Sequence, residues 1–270
     1  MQIYPSFRLS HLIKHYLIIE TDHVAGKLLR MFCDGNTGIV INYKDPISLQ
    51  GAVTGTNDYL PKSFIYGQQD THQTMMATGK IGMIVIVFHP FGASALMNVP
   101  ANELRNQILE LDLFYHFRAE HLLDNLQSSK SLHDKIETIE SFFTSRLSEQ
   151  KNADTLSREA VKLIDTRNGD IRVAEITDFF GVNERQLQRA FEQHVGISPK
   201  TYSGVIRVQH FLKLLRTKDS SASITSLAYD AGFYDQAHLI REVKNLSGIT
   251  PGQYIAESAL LAANFIQIKS

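Results

Sequence analysis

The sequence predicts an α+β protein with a β-rich, barrel-like N-terminal domain, a helical tail behind it and an all-α C-terminal domain. Short branched or aromatic runs separated by turn residues occupy the chain up to about Pro90, and apolar residues at helical spacing follow. A segment of the last third is also repeated, because Gly196-Ile197-Ser198-Pro199 returns as Gly248-Ile249-Thr250-Pro251. A repeat at a fixed offset indicates one supersecondary unit used twice.

The N-terminal half divides at Pro90 into predicted strands and predicted helices. The strands are expected at 15–20, 27–32, 38–43, 63–67 and 80–89, and the helices at 91–97, 102–109, 111–126 and 131–147. Residues 148–154 are polar and lack apolar periodicity, which favours a linker with the boundary near Asn152. The chain is therefore divided into a domain at 1–152, a second domain at 153–258 and a C-terminal tail at 259–270.

The repeat predicts two helix-turn-helix units joined by a long helix. Leu187 and Arg189 recur as Leu239 and Arg241, 52 positions later (239 minus 187), and Gly181 recurs as Gly232. Each copy contains a helix, a short glycine-containing turn and a second helix. Ser198 and Pro199 start the connecting helix, which runs to about Arg216 and spans roughly 27 Å, close to one turn of DNA.

The second helix of the first unit, residues 183–194, is the first candidate recognition helix. Asn183 is a natural N-cap with Gln186 three residues later. Arg185, Gln188 and Arg189 lie opposite the apolar side of this helix, together with Glu192. Arginine can bind guanine and glutamine can bind adenine in the major groove, although a solvated face is the ordinary alternative for such a stripe. The position directly after a glycine turn favours DNA recognition.

The second candidate recognition helix covers residues 235–246 and differs in its exposed chemistry. The candidate DNA-contacting residues are Gln236, His238, Ile240, Arg241 and Lys244. A histidine at a helix start is as often a structural hydrogen-bonding residue as a base contact. Because the two helices carry different side chains, one chain should bind an asymmetric site on double-stranded DNA.

Composition limits the functions that the chain can have. It has 270 residues, 43% of them hydrophobic, and a formal net charge of -1, which is typical of a globular protein and unlike a sequence-independent nucleic-acid binder. Its single cysteine, Cys33, excludes an intramolecular disulfide and a multi-cysteine zinc site. The apolar run 81–88 is too short to cross a bilayer, so a cytoplasmic, nucleoid-associated protein without a membrane partner is expected.

The C-terminal region resembles the AraC/XylS family of bacterial transcription regulators. The resemblance rests on 181–191, Gly196-x-Ser198-Pro199-x-x-Tyr202, 228–236 and Gly248-x-Thr250-Pro251-x-x-Tyr254, and it extends over 157–254. It implies two helix-turn-helix subdomains that bind adjacent major grooves, usually to activate transcription with RNA polymerase as a partner. By motif position, it implies base contacts from Arg185, Gln188, Arg189, Gln236, Ile240 and Arg241.

The β-rich domain is expected to bind a small-molecule effector or to form a homodimer, and it is similar to the sensor domains of some of these regulators. The alternative is a cupin-like metal-dependent enzyme or sensor fused to a DNA-binding module. Five histidines could contribute to such a site, but only the first two have helical ligand spacing: His11, His15, His23, His72 and His89. No catalytic set stands out, so we expect no enzyme activity, no cofactor and no metal.

Overall fold

The computed structural model describes residues 1–22, 25–50, 59–114, 119–129, 131–146, 154–217, 223–257, 259–262 and 264–268. The N-terminal part contains two β-sheets with helices packed on one of them, and the C-terminal part is helical. The α+β class and its order of parts are confirmed. His23, the predicted boundary near Asn152 and residue 258 lie outside the described residues.

The first sheet has six antiparallel strands among the described residues. In spatial order they are β1 (Gln2–Ile3), β2 (Ile13–Thr21), β8 (Ile81–Phe88), β4 (Thr37–Asn42), β6 (Ser63–Tyr66) and β9 (Ile108–Glu110). Ile84 on β8 lies opposite Ile18 on β2 and opposite Ile41 on β4. Four predicted strands therefore form the centre of this sheet, with bounds that differ from the prediction by no more than two residues at either end.

The second sheet combines the N-terminal part with the end of the chain. Its spatial order is β10 (Ala259–Ala262), β11 (Phe265–Ile268), β3 (Leu28–Met31), β7 (Gln73–Ala77) and β5 (Ile47–Leu49). The segment predicted as a C-terminal tail thus contributes two strands. β11 pairs with β3 in antiparallel register, so that Phe265 lies opposite Met31 and Ile268 lies opposite Leu28.

Strand β8 contributes to two hydrophobic cores, one between the first sheet and the helices and one between the two sheets. All eight of its residues are buried. Ile84, Ile86 and Phe88 pack against helices, whereas Met83, Val85 and Val87 face the second sheet. Because alternate side chains point to opposite faces and both faces are covered, the strand is a continuous apolar run.

Where the N-terminal part is described, it has four α-helices: α1 (Gly92–Met97), α2 (Ala101–Leu104), α3 (Ala119–Ser128) and α4 (Leu132–Arg146). The prediction of one helix over 102–109 is wrong in its second half. The helix ends at Leu104 because Arg105 has an extended backbone (φ −60°, ψ 129°), and Asn106 follows in the left-handed conformation at φ 60°. Its side chain also bonds Asp70, accepting from the Asp70 backbone N–H at 2.8 Å and donating to Asp70 Oδ2 at 2.8 Å. The following residues can therefore form β9 instead of a helix.

The C-terminal part contains seven helices within the described residues: α5 (Thr155–Thr166), α6 (Val173–Phe180), α7 (Glu184–His194), α8 (Pro199–Thr217), α9 (Ile224–Asp230), α10 (Gln236–Ser247) and α11 (Pro251–Glu257). One core joins α5, α6, α7 and the start of α8, and another joins the rest of α8 with α9, α10 and α11. Leu187 and Tyr202 of the first core correspond to Leu239 and Tyr254 of the second. The predicted pair of helix-turn-helix units on one long helix is confirmed.

The helical part contacts the N-terminal part at several points. Gln209 Nε2 on α8 donates to the Cys33 carbonyl oxygen at 2.8 Å, and α7 contacts α2. A Cβ on Gly196 would lie 2.8 Å from the Ala101 carbonyl oxygen, so a larger residue would force the two parts away from each other. The first helix-turn-helix unit and the long helix are thus packed on the N-terminal part. Among the described residues, no helix is both long and apolar enough to span a bilayer.

Candidate nucleic-acid interface and interior cavity

The turn of the first helix-turn-helix unit is built by one glycine and one cap. Gly181 ends α6 at φ 64° and ψ 34°, where a Cβ would meet nothing within 4 Å, so glycine is needed there for its backbone conformation alone. The Asn183 side chain accepts from the Gln186 N–H at 2.9 Å, and Gln186 Oε1 accepts from the Asn183 N–H at 3.0 Å. This reciprocal capping box fixes where α7 begins.

Removing that cap should loosen the first recognition helix. Asn183→Ala leaves the Gln186 N–H without its side-chain partner, and we expect a loss of about 0.5–2 kcal/mol in the free energy of unfolding. Chemical denaturation of the full chain measures this loss. Asn183→Ser should keep most of the stability because serine also caps helices, and Glu184→Ala at the next exposed position serves as the control. Equal stability of Asn183→Ala and Asn183→Ser would contradict the role of the cap.

The exposed face of α7 presents the three predicted side chains together. Arg185 and Arg189 are exposed, and Gln188 is half-buried between them in the helical order. Leu187 and Phe191 are fully buried on the other side. Gln188 Nε2 donates to Glu192 Oε1 at 2.7 Å, so this amide must release Glu192 before it can bind adenine with both of its polar atoms.

The second unit has a longer turn, residues 231–235 against 181–183 in the first unit, and different capping chemistry. Ser223 caps α9 by accepting from the Ser226 N–H at 3.0 Å. Asp235 caps α10 by accepting from the His238 N–H at 2.6 Å. Leu239 and Val243 anchor α10 in its core, each with no exposed surface.

The exposed face of α10 brings together most, but not all, of its predicted residues. Arg241 and Lys244 are exposed, Ile240 is half-buried, and Arg241 Nε donates to the Ala237 carbonyl oxygen at 3.3 Å. Gln236 is exposed, but its Oε1 accepts from Thr225 Oγ1 on α9 at 2.8 Å. The oxygen of Gln236 is therefore engaged in holding the turn.

His238 has a different environment from the other predicted residues. It is half-buried, with its ring edge-on to Phe233 at a centroid distance of 5.6 Å and its Nε2 4.0 Å from Glu242 Oε1. These contacts hold the imidazole against the body of the second unit. The geometry favours a structural role for His238 over a base contact.

One residue that the sequence reasoning missed lies next to the first recognition helix. Lys200 is exposed in the first turn of α8 and lines a surface groove with Arg185, Gln188 and Ser198. Helix N-termini with nearby lysines bind anions such as phosphate. The sequence feature that could have indicated Lys200 is its position directly after Ser198-Pro199, where α8 starts. The equivalent position of the second unit, 52 residues later, is Gly252.

A cavity of about 400 Å³ lies between the two sheets. Its walls are mainly apolar and come from both sheets, with Val85 and Val87 on one side and Met31, Met75 and Phe265 on the other. The polar lining residues include His15, Asp34, Asn42, Asn264 and Arg216. Arg216 is on α8, so the connecting helix of the DNA-binding part contributes to this cavity. Its size and lining are those of a small-molecule site.

The histidines considered as metal ligands are dispersed. His15 lines the cavity, His89 Nε2 lies 3.1 Å from the Ser10 carbonyl oxygen, and a Cβ on Gly248 would meet the ring of His72. In the described ranges, no three His, Cys, Asp or Glu side chains are grouped as a metal ion would require. Cys33 is buried, and burial, followed by the neighbouring charge of Asp34, raises the pKa of its thiol to about 12, which keeps it protonated.

Acid should destabilise the fold through its histidines. Burial is the largest cause that lowers the pKa of His15, His72 and His89 below 6.5. The unfolded chain therefore takes up these protons first, so the free energy of unfolding should fall as the pH drops through and below 6.5. Denaturation at pH 7.5, 6.5 and 5.5 measures this. His89→Asn should flatten the dependence, whereas His133→Asn at an exposed position on α4 should not. If the free energy of unfolding of His89→Asn fell more steeply with decreasing pH than that of the unsubstituted chain, His89 would not be a cause of the acid sensitivity.

Two family models match separate parts of the chain. Residues 176–257 match a helix-turn-helix domain, and residues 1–110 match a family described as "Domain of unknown function (DUF6597)". The first match begins inside α6 and ends with α11, so it includes both turns and both α7 and α10. Together with the relatives below, it confirms the resemblance: the chain carries a helix-turn-helix domain of the AraC type.

Curated relatives match part of the chain. The transcriptional regulator MtrA of Neisseria gonorrhoeae is 29% identical over 96 residues, which is 36% of this chain and 31% of MtrA. The transcriptional activator RhaS of Escherichia coli O157:H7 is 36% identical over 63 residues, which is 23% of this chain and 22% of RhaS. The chain thus spans about a third or less of the length of these relatives.

A solved structure matches the arrangement of both parts. ToxT from Vibrio cholerae O395 superposes with a TM-score of 0.51 at 12% sequence identity, over 89% of this chain and 96% of ToxT. ToxT has also been solved with a bound unsaturated fatty acid, with the same TM-score and 15% identity. At this identity the likeness shows the fold: a β-rich domain followed by two helix-turn-helix units.

Proposed function

We propose that the chain is a sequence-specific DNA-binding regulator of transcription that inserts α7 and α10 into adjacent major grooves. The observation that carries the proposal is the pair of capped recognition helices on one long helix. α8 has 19 residues and is about 28 Å long at 1.5 Å per residue. Two recognition helices that are joined by a rod of this length can occupy successive turns of one DNA face.

The exposed residues of the two helices divide into proposed base contacts and proposed backbone contacts. The base contacts are Arg185, Gln188 and Arg189 on α7, and Gln236, Ile240 and Arg241 on α10. Lys244 and Lys200 would bind phosphate, since lysine acts on DNA mainly as a point charge. His238 would hold the start of α10 in place. Because the second unit has Gly252 where the first has Lys200, the two units should also grip the DNA backbone differently.

A role as a transcription regulator also implies partners other than the bases of DNA. The proposed operator is asymmetric, and the proposed activating partner is RNA polymerase, which would place the protein at the nucleoid. Residues 1–152 would sense an effector or form a homodimer, and residues 153–258 would bind DNA. The matched relatives are named as regulators, and no enzymatic step is proposed.

The interior cavity is the proposed effector site. Its volume of about 400 Å³, apolar walls and few polar groups suit an apolar molecule with one polar or acidic end. The fatty acid bound to ToxT supports this class of ligand. A thermal-shift screen of the full chain with apolar acids tests it. Val85→Phe, which fills part of the cavity, should abolish the shift that an active compound causes.

Selection of bound sites from random DNA by the full chain tests the DNA-binding function. We expect one asymmetric motif with two parts about 10–10.5 base pairs apart. Titration with salt should weaken binding to the selected site and to random DNA, while the selected site keeps an advantage of about 10³-fold or more. A chain that binds random and selected DNA alike would not be a sequence-specific regulator.

A further inference from the structure

We propose that strand β11, at the C-terminal end of the chain, couples the interior cavity to the second helix-turn-helix unit. This inference rests on the proposed function, in which the cavity binds an effector and α10 binds DNA. The occupant of the cavity would press on one face of β11, and the opposite face of the strand would transmit the displacement to α10. The segment after the second unit would then be the regulatory link and not an appendage.

Two successive residues of β11 lie on opposite sides of the strand. Phe265 lines the cavity and belongs to the core between the sheets. Ile266, the next residue, has no exposed surface and belongs to the core of the second unit with Leu239 and Val243. Successive residues of a strand point to opposite faces. A single peptide unit therefore separates the cavity wall from the support of the second recognition helix.

The neighbouring strand repeats this placement. Met31 on β3 lines the cavity, and the following residue, Phe32, belongs to the core of the second unit. The Phe32 N–H donates to the Asn264 carbonyl oxygen at 3.0 Å, and Asn264 Nδ2 donates to the Phe32 carbonyl oxygen at 3.1 Å. Asn264 is itself a lining residue of the cavity. These bonds hold β3 and β11 together, so that they would move as one wall.

An occupant of the cavity should affect the second unit more than the first. The core of the first unit contains Leu187, Phe191 and Tyr202 but no described residue of β10 or β11. The core of the second unit contains Ile266 directly and has Ile268 packed against it. Packed interiors transmit strain because they contain little free volume. An occupant that shifts Phe265 should therefore change the placement of α10 more than that of α7.

A cavity-filling substitution tests the coupling without knowledge of the effector. Val85→Phe adds a ring from the wall that faces the second sheet and serves as a permanent occupant. The fluorescent anion anilinonaphthalene sulfonate, added to the unsubstituted full chain, is the second probe. DNA affinity is measured on the selected site with either half scrambled, the halves being assigned by their sensitivity to Arg189→Ala and to Arg241→Ala. Thermal melting first verifies that each variant folds.

We expect either occupant to change affinity for the half-site of the second unit by about fivefold or more, and for the other half-site by less than about twofold. Ile266→Ala should remove the difference between the two half-sites while the cavity still binds the probe. Ile266→Val is used if the alanine variant does not fold. Gln267→Ala, between Ile266 and Ile268 on the same strand, is the matched control and should leave the coupling intact.

Three results would overturn the coupling: equal changes on both half-sites, no change on either, or a change that persists in the Ile266 variants. Failure of the proposed function gives a different result. A chain that selects no DNA motif fails as a regulator, and a probe whose binding does not respond to Val85→Phe fails to locate the effector in the cavity. In both cases the coupling is also rejected, because it requires a chain that recognises a DNA motif and an effector that binds in the cavity.

Discussion

Replacing Phe211 by alanine is expected to lower the free energy of unfolding by about 3–5 kcal/mol, the usual range for a fully buried phenylalanine. Phe211 has no exposed surface, and its ring meets Phe233 edge-on at a centroid distance of 6.5 Å. Such a ring pair adds about 0.5–1.5 kcal/mol beyond the area that it buries. The substitution would leave a cavity that the surrounding helices can fill only in part.

The location of Phe211 should extend this effect beyond the second unit. Its core also contains Phe32 from the loop after β3 and Ile266 from β11. Chemical denaturation should therefore show the helical and the β-rich signals falling together at a lower denaturant concentration. Lys213→Ala, exposed two residues later on α8, is the control and should change stability by less than about 0.5 kcal/mol. Loss of the helical signal alone would show that the shared core does not join the two parts.

The helix-turn-helix units could be predicted because their signals are local. Asn183 with Gln186, and Asp235 with His238, cap helices through contacts three residues apart, and both caps are present. The repeat also preserves the buried positions Leu187 and Leu239. Where structure depends on short-range spacing, the sequence contains most of the information needed to place each element.

The elements that were missed depend on distant partners. β7 has the sequence Gln73-Thr74-Met75-Met76-Ala77, which is not strongly strand-forming, but β3 and β5 pair with its two edges. β11 lacks the alternation of apolar and polar residues that indicates a strand, because Phe265 and Ile266 are both buried, on opposite faces of the strand. Its pairing with β3 joins residues more than 230 positions apart, and no local pattern indicates such a contact.

The candidate sites also combine local features with features that depend on distant residues. The proposed DNA-contacting residues came from helix spacing, and the structure places Arg185, Arg189, Arg241 and Lys244 on exposed helix faces. The bond from Thr225 to Gln236 and the packing of His238 on Phe233 depend on how neighbouring elements pack. The cavity needs both sheets, the end of the chain and Arg216 of α8, so it could be found only from the assembled fold.

Replacing Arg189 or Arg241 by alanine is expected to weaken binding to the selected DNA by about 1–3 kcal/mol each, or about 5- to 150-fold. Both arginines are exposed on the recognition helices at equivalent positions of the repeat. A guanidinium that binds guanine through two hydrogen bonds contributes to affinity only on the right base. Each substitution should therefore relax the preference at one position of its own half-site, as measured with a set of single-base variants of the selected DNA.

A matched control separates the loss of a base contact from the loss of a positive charge. Arg105→Ala also removes one guanidinium, but Arg105 pairs with Asp70 at 2.8 Å in the N-terminal part, and binding should change little. If Arg189→Ala weakens binding to every sequence equally and reduces the salt dependence by about one phosphate contact, Arg189 binds the DNA backbone. If the two substitutions relax the same base position, the units do not occupy separate grooves. Distinct positions about one helical turn apart are the result that two recognition helices on one rigid α8 require.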